Sequence, residues 1–174
     1  MFNFINETHE YILFLDIEFD QTHLIQFAGL LFRRVNDSNY VPYRSLNVYI
    51  QRQVSNSFSR YTHISNDFLT HNGVTIDDAI WQIQDNLLED VDDLLLVSHG
   101  LHGDLTILQA NGIYLKGQQY CTFEHARTIL KRKTMLSLTD IAREAVIYPV
   151  LEHNAYVDAW RTVGVYSFLK DLED

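Results

Sequence analysis

With a single cysteine, Cys121, the chain cannot form an intrachain disulfide. That excludes a disulfide framework as the source of its stability and fits a reducing compartment. Basic residues are scarce as well: 13 Lys and Arg stand against 23 Asp and Glu, for a formal net charge of -10. A protein that grips duplex DNA by neutralising phosphates carries a basic face, so that class is disfavoured. Nucleic acid as such is not excluded. Carboxylates that hold metal ions add to the negative count, and the ions they hold can bind a phosphodiester. No apolar run approaches the length of a membrane span, and Met1 to Glu10 lacks the basic region of a secretory signal. The expectation is a cytoplasmic protein with no membrane partner. Repeats, low-complexity segments and linkers are also missing. The 174 residues, 47% of them hydrophobic, therefore read as one domain, 1–174, with one substantial core.

What is present is organised around Tyr11 to Phe19, YILFLDIEF. Its β-branched and aromatic residues, uninterrupted by Gly or Pro, predict a buried strand. Asp16 and Glu18 lie two apart on it and project from the same face. On an apolar strand, mutual repulsion and desolvation both oppose their ionisation. The next basic residues along the chain are Arg33 and Arg34. A divalent metal removes the conflict, since hard cations take carboxylate oxygens. An acid pointing to solvent at the strand's end is the plainer alternative.

The remaining pattern predicts an α/β fold with a mixed sheet: three antiparallel N-terminal strands followed by flanking helices. Asp20 to His23 reads as a turn into a second strand, Leu24 to Phe32. After a turn at Asn36 to Asn39, a third strand is expected only over Leu46 to Ile50. Gln51 to Thr62 reads as irregular, and Ser65 to Leu69 as a short helix. Thr75 caps a helix to about Glu89, and Asp93 to Ser98 is a strand. His99 to Gly103 is expected as a loop before a helix from Asp104 to Ala110. Further helices are expected over Phe123 to Leu130, Ser137 to Ala145 and Asn154 to Leu169.

Two further acids draw attention through their context. Asp104 follows a buried strand at the start of a helix, which capping chemistry alone explains. Asp158 lies one turn inside the last helix, with His153 just before the cap Asn154. Their separation of five turns the two side chains roughly 140° apart, so they approach a reaction centre from different directions.

In these motifs the sequence resembles the DEDD superfamily of 3′–5′ exonucleases, histidine subtype, which includes the polymerase III proofreading subunit, ribonuclease T and oligoribonuclease. Asp16-Ile-Glu18 is similar to the first motif of that family. His99 and Asp104 have the spacing of the second, and His153-x4-Asp158, followed by Ala-Trp-Arg-Thr, resembles the third. Ile64 to Val74 with Thr75, and Ser137 to Ala142, resemble intervening segments, so the likeness spans about Tyr11 to Leu169. Gly100 and Gly103 stand where the family has Asn and Phe, and Phe19 where it often has Thr or Met. No metal ligand is lost by these departures.

The resemblance implies an RNase H-like fold, a single exonuclease domain and two divalent ions, Mg²⁺ or Mn²⁺. It implies release of nucleoside monophosphates from single-stranded or frayed 3′ ends of DNA or RNA. Asp16, as the bridging ligand, Glu18, Asp104 and Asp158 would hold the ions, and His153 would take the proton of the attacking water. Phe19 and His99 would contact the substrate, Phe19 by stacking on a terminal base or else serving the core. Lys131-Arg132-Lys133 reads as a solvated helix end before it reads as a phosphate contact. The alternatives are an exoribonuclease that trims RNA oligomers or RNA ends, and a weakly catalytic module that binds nucleic acid on the same fold. An acidic globular protein with chance carboxylates would show no specific divalent-ion effect on melting.

Overall fold

A computed structural model describes residues 1–147 and 153–173. The strand with the paired acids, β2 (Tyr11–Asp20), is central to a six-stranded sheet, and its alternation sets the layers. Its odd positions Leu13, Leu15 and Ile17 join one core cluster, and its even positions Ile12 and Phe14 join another on the opposite face. Asp16 and Glu18 continue the even series, so the sequence parity that pairs them also sends them toward the second layer.

A tight turn leads from β2 to β3 (His23–Asn36), its antiparallel partner, and a second turn to β4 (Asn39–Tyr49). The third strand is thus longer than the expected Leu46 to Ile50. Its first half carries exposed residues and Pro42, a pattern that sequence hydrophobicity does not register; Pro42 is tolerated because it lies past Asn39 and Tyr40, the two residues that a further strand pairs on that side. The two-residue β1 (Phe2–Asn3) pairs with β4, a strand the sequence did not announce. Beyond β2, the sheet turns parallel through β5 (Leu94–Ser98) and β6 (Gln118–Cys121), giving the order β1-β4-β3-β2-β5-β6. β6 is a second unannounced strand, since only Tyr120 of its four residues is buried.

Helices cover both faces. Gln51 to Thr62 is not irregular throughout: α1 (Asn56–Thr62) forms there, capped by Ser55, whose hydroxyl accepts from the Phe58 amide. α2 (Asn66–Asn72) follows, capped by Ser65. Thr75 caps α3 (Ile76–Trp81), which widens into a π-helical stretch over Gln82–Leu87. Ala79, Ile83 and Leu87 from this segment, with Leu101, Leu105 and Leu108 of α4 (Leu101–Ala110), complete the first core layer. Gly29 on β3 admits the segment closely, because a Cβ there would sit 2.7 Å from Leu87 Cδ2.

The second layer is α7 (Ala155–Glu173). Its Ala155, Ala159, Val163 and Tyr166 recur at helical spacing and pack on Ile12, Phe14, Ala28 and Leu30. Two alanines in the first turns bring the helix close to the sheet. Val165 and Leu169 face away from that layer, onto α5 (Thr122–Ile129) and α6 (Leu138–Glu144). No helix among the described residues is long and apolar enough to cross a membrane.

Candidate active site

Each acid reaches the site for a local reason. Asp16 and Glu18 lie where β2 runs past the end of β5, whose pairing with it stops at Phe14. Their side chains therefore meet the start of α7 rather than another strand. The α7 N-terminus is fixed in turn by Gln26, fully buried on β3 opposite Glu18. Gln26 Oε1 accepts from the Ala155 amide at 3.2 Å, and its Nε2 donates to Asn47 Oδ1 at 2.8 Å. Asn154 caps the helix through its Oδ1, which accepts from the Tyr156 and Val157 amides. One turn in, Asp158 closes the group. One carboxylate oxygen each of Asp16, Glu18 and Asp158 can be chosen so that all lie within 4.8 Å of one another.

Asp104 faces the same cavity from the first turn of α4, outside that closest trio. The residues expected as a loop, Leu101 to Gly103, already belong to this helix, and only His99 and Gly100 remain outside it. Ser98 organises the entry: its hydroxyl donates to Asp104 Oδ2 and accepts from the Gly100 amide at 3.2 Å. A Cβ at Gly100 or Gly103 would meet nothing within 4 Å, so both glycines are open to space.

The electrostatics follow from this crowding. Burial, then the charges of Asp104, Asp158 and Glu18, push the Asp16 carboxyl well above the usual range. Burial, then Asp158 and Asp104, push Glu18 up to about 7. Asp104 rises through burial to about 6, opposed by the Ser98 hydrogen bond. Asp158 rises for the same first reason but is held back by Arg161 and, more weakly, by His153. The metal-free site thus repels its own ionised form, and its donors are hard carboxylate oxygens, the set that magnesium and manganese take. The residues fit a divalent cation.

His153 lines the cavity of about 330 Å³ that these acids border. It adopts φ 61°, in the left-handed region, directly before the Asn154 cap. Its imidazole packs on Tyr61, with ring centroids 3.7 Å apart. Tyr61 comes from α1, and α1 is tied to the β2 end because Ser55 donates to Asp20 from its amide at 2.6 Å and its hydroxyl at 3.2 Å. Tyr61 was invisible in sequence because its neighbourhood lacks a periodic apolar pattern.

Of the two expected substrate residues, Phe19 is 43% exposed just after a register shift that follows Glu18, so it does not serve the core. His99 lines the cavity, but its nitrogens are engaged: Nδ1 with Thr122 Oγ1 at 2.9 Å and Nε2 with the Leu136 carbonyl at 2.7 Å. What it can offer a substrate is ring surface. Arg132 of the basic run is paired with Glu144. The residue that sequence reasoning missed most plainly is Arg161, which is 3% exposed, lines the cavity and donates to Asp158 Oδ1 at 2.7 Å. It brings a positive charge to Asp158, not to the Asp16 and Glu18 pair.

No protein-family model matches the chain, and no curated protein matches it in sequence. Solved structures do. A full-length 3′-exonuclease superposes with a TM-score of 0.70 at 14% identity, over 93% of this chain and 82% of its own. Cell-death related nuclease 4 gives 0.75 at 15%, over 94% and 64%. The zinc-bound complex of E. coli exonuclease I with single-stranded DNA gives 0.74 at 15%, over 94% and 41%. The chain therefore spans less than two thirds of the latter two proteins, and at these identities the likeness is one of fold. That fold is the RNase H-like α/β architecture of 3′-exonucleases.

Proposed function

We propose that the protein is a divalent-metal-dependent 3′–5′ exonuclease that removes nucleoside monophosphates from single-stranded or frayed ends. The observation that carries this reading is the convergence of Asp16, Glu18 and Asp158 from β2 and α7, with Asp104 and His153 on the same cavity. Magnesium or manganese bound there would neutralise the carboxylates, lower the pKa of a bound water and stabilise the leaving oxygen.

The chain's own residues would do the rest. Asp16, Glu18, Asp104 and Asp158 would hold the ions, with Asp16 central among them. His153 would accept the proton of the attacking water at its imidazole. Tyr61 would fix the imidazole from one side, so the ring meets the water without a rotamer search. Phe19 would stack on a base near the 3′ end, an interaction indifferent to sequence and worth about 1–3 kcal/mol. With a net charge of -10, the chain has little surface to hold a long duplex, which favours a footprint of a few nucleotides.

Incubating linear and circularised forms of one single strand with Mn²⁺, in DNA and RNA, tests this reading. Mononucleotides from the linear form alone are expected. Cutting of the circle, or no mononucleotides from either, would reject it. The ion pair between Arg161 and Asp158 gives some support to a module that binds nucleic acid without turnover. Retained binding of single strands with no release of mononucleotides would favour that second reading.

A further inference from the structure

The negative charge of the chain is concentrated in one stretch, and an apolar groove lies within it. From Asp77 to Asp93 there are seven Asp and Glu and no Lys, Arg or His. The rest of the chain carries a formal net charge of only -3, the -10 of the whole less these seven. All seven acids are exposed, and none of them is in an ion pair among the described residues. The groove, of about 230 Å³, is lined by Ile80, Ile83, Leu88, Val91 and Leu94, and by Ile113 to Leu115 from the connection after α4. Leu88, Val91 and Leu94 alternate with Glu89-Asp90 and Asp92-Asp93, so one short stretch supplies both the apolar wall and its acidic rim. Tyr114 is 68% exposed there. Two cations are near: Lys116 lines the groove, and Arg44 Nη1 donates to the Glu89 carbonyl at 2.7 Å. The four carboxylates of the rim outnumber them. The groove is also remote from the carboxylate cavity, because β5 runs about 13 Å from Leu94 to Ser98, the residue that bonds Asp104.

We propose that this groove docks a basic amphipathic segment of a partner protein. Its apolar side chains enter between Val91 and Tyr114, and its Lys or Arg heads meet Glu89, Asp90, Asp92 and Asp93. Charge complementarity selects this occupant. An apolar groove alone accepts any hydrophobic segment, whereas an unpaired acidic rim repels nucleic acid and anionic lipid and attracts a cationic chain. Lys and Arg suit both parts of the surface, since their stems lie along apolar walls while their heads reach charge. Docking also relieves the repulsion among the rim carboxylates, which no residue of the chain neutralises. The carboxylate cavity stays open to its own substrate.

Fluorescence anisotropy with a labelled peptide of about four helical turns, Leu at helical spacing and Lys elsewhere, tests the site. A peptide of the same charge with Ser for Leu is the comparison. Wild type should bind the Leu peptide about tenfold tighter than the Ser peptide, and rising salt should weaken it. Glu89→Lys with Asp92→Lys should weaken binding of the Leu peptide about tenfold, and Tyr114→Ser about threefold. Asp37→Lys with Asp171→Lys makes the same change in net charge at exposed positions elsewhere, and should stay within about twofold of wild type. Equal loss from the two charge-reversed proteins, or equal binding of the Leu and Ser peptides, would overturn the proposal, because the peptide would then sense only the charge of the whole chain. Failure of wild type to bind the Leu peptide would overturn it as well. So would wild-type dimers in sedimentation that the Glu89→Lys, Asp92→Lys protein does not form, since they would give the groove to a second copy. Should that protein not fold, Tyr114→Ser, which alters one exposed side chain, decides the matter: undiminished binding of the Leu peptide refutes the site.

Discussion

Replacing Glu18 by Gln should stabilise the metal-free protein above neutrality, and the size of the effect follows from its surroundings. The folded protein holds a proton on Glu18 up to about pH 7, whereas the ordinary value for the group is 4.5. Because the folded-state value is raised, the unfolded chain releases its proton first as pH increases. Stability therefore falls between about pH 4.5 and 7 and stays low above that window. The full linkage is about 3 kcal/mol at pH 8, reduced to roughly 2 kcal/mol because the group is partly exposed and solvent screens it. Gln has nearly the same shape and cannot ionise, so it recovers that amount. For a domain of this size the gain corresponds to about 4–8 °C in Tm. Thermal melts in EDTA from pH 4.5 to 8.5 should show the two proteins converging in acid and the variant ahead at pH 8. With Mn²⁺ the order should reverse, since wild type gains a ligand-bound state that Gln supports poorly. A Glu18→Gln protein less stable than wild type in EDTA at pH 8 would refute the crowding of charges on which the site is argued.

Three further outcomes are expected. His153→Ala should keep the rise in Tm produced by Mn²⁺ yet lose about 10²–10⁴ in turnover; thermal melts and single-turnover assays check the two. Glu7 is buried, which alone would raise its pKa, but hydrogen bonds from Tyr166, His9 and the Thr8 and His9 amides hold it below its ordinary value. Its stabilising contribution is therefore present above the unfolded value and lost as pH falls through the folded one, so Glu7→Gln should lower denaturant stability at pH 7 and narrow the gap in acid. Gly103→Ala should raise stability by about 0.5–1 kcal/mol in urea melts, since the site is helical and a Cβ there meets no atom within 4 Å.

How much of this was legible in sequence depends on the kind of signal each element carries. Asp16 and Glu18 were readable because strand parity is a local rule, and the structure continues that parity from Ile12 and Phe14. Asp158 and its buried neighbours Ala155, Ala159, Thr162 and Val165 were readable because a long helix repeats its period often enough to show it. α1 was not readable. Only Phe58 and Thr62 are buried in its seven residues, and its anchor is the contact of Ser55 with Asp20, 35 residues away. β6 and the first half of β4 hold their places mainly through backbone pairing, which leaves little imprint on side-chain pattern. Arg161 was not readable, because no periodicity distinguishes a buried arginine from a solvated one. Tyr61 and Gln26 reach His153 and the α7 terminus only through the fold itself.

The central claim is that these carboxylates serve stepwise hydrolysis from a 3′ end. A time-resolved digest of a single strand labelled at its 5′ end, with Mn²⁺, tests it most directly. Wild type should produce a ladder that shortens one nucleotide at a time from the unlabelled end, EDTA should abolish it, and Asp16→Asn should leave the strand intact. A ladder that begins with internal fragments, persists in EDTA or survives in Asp16→Asn would contradict the account.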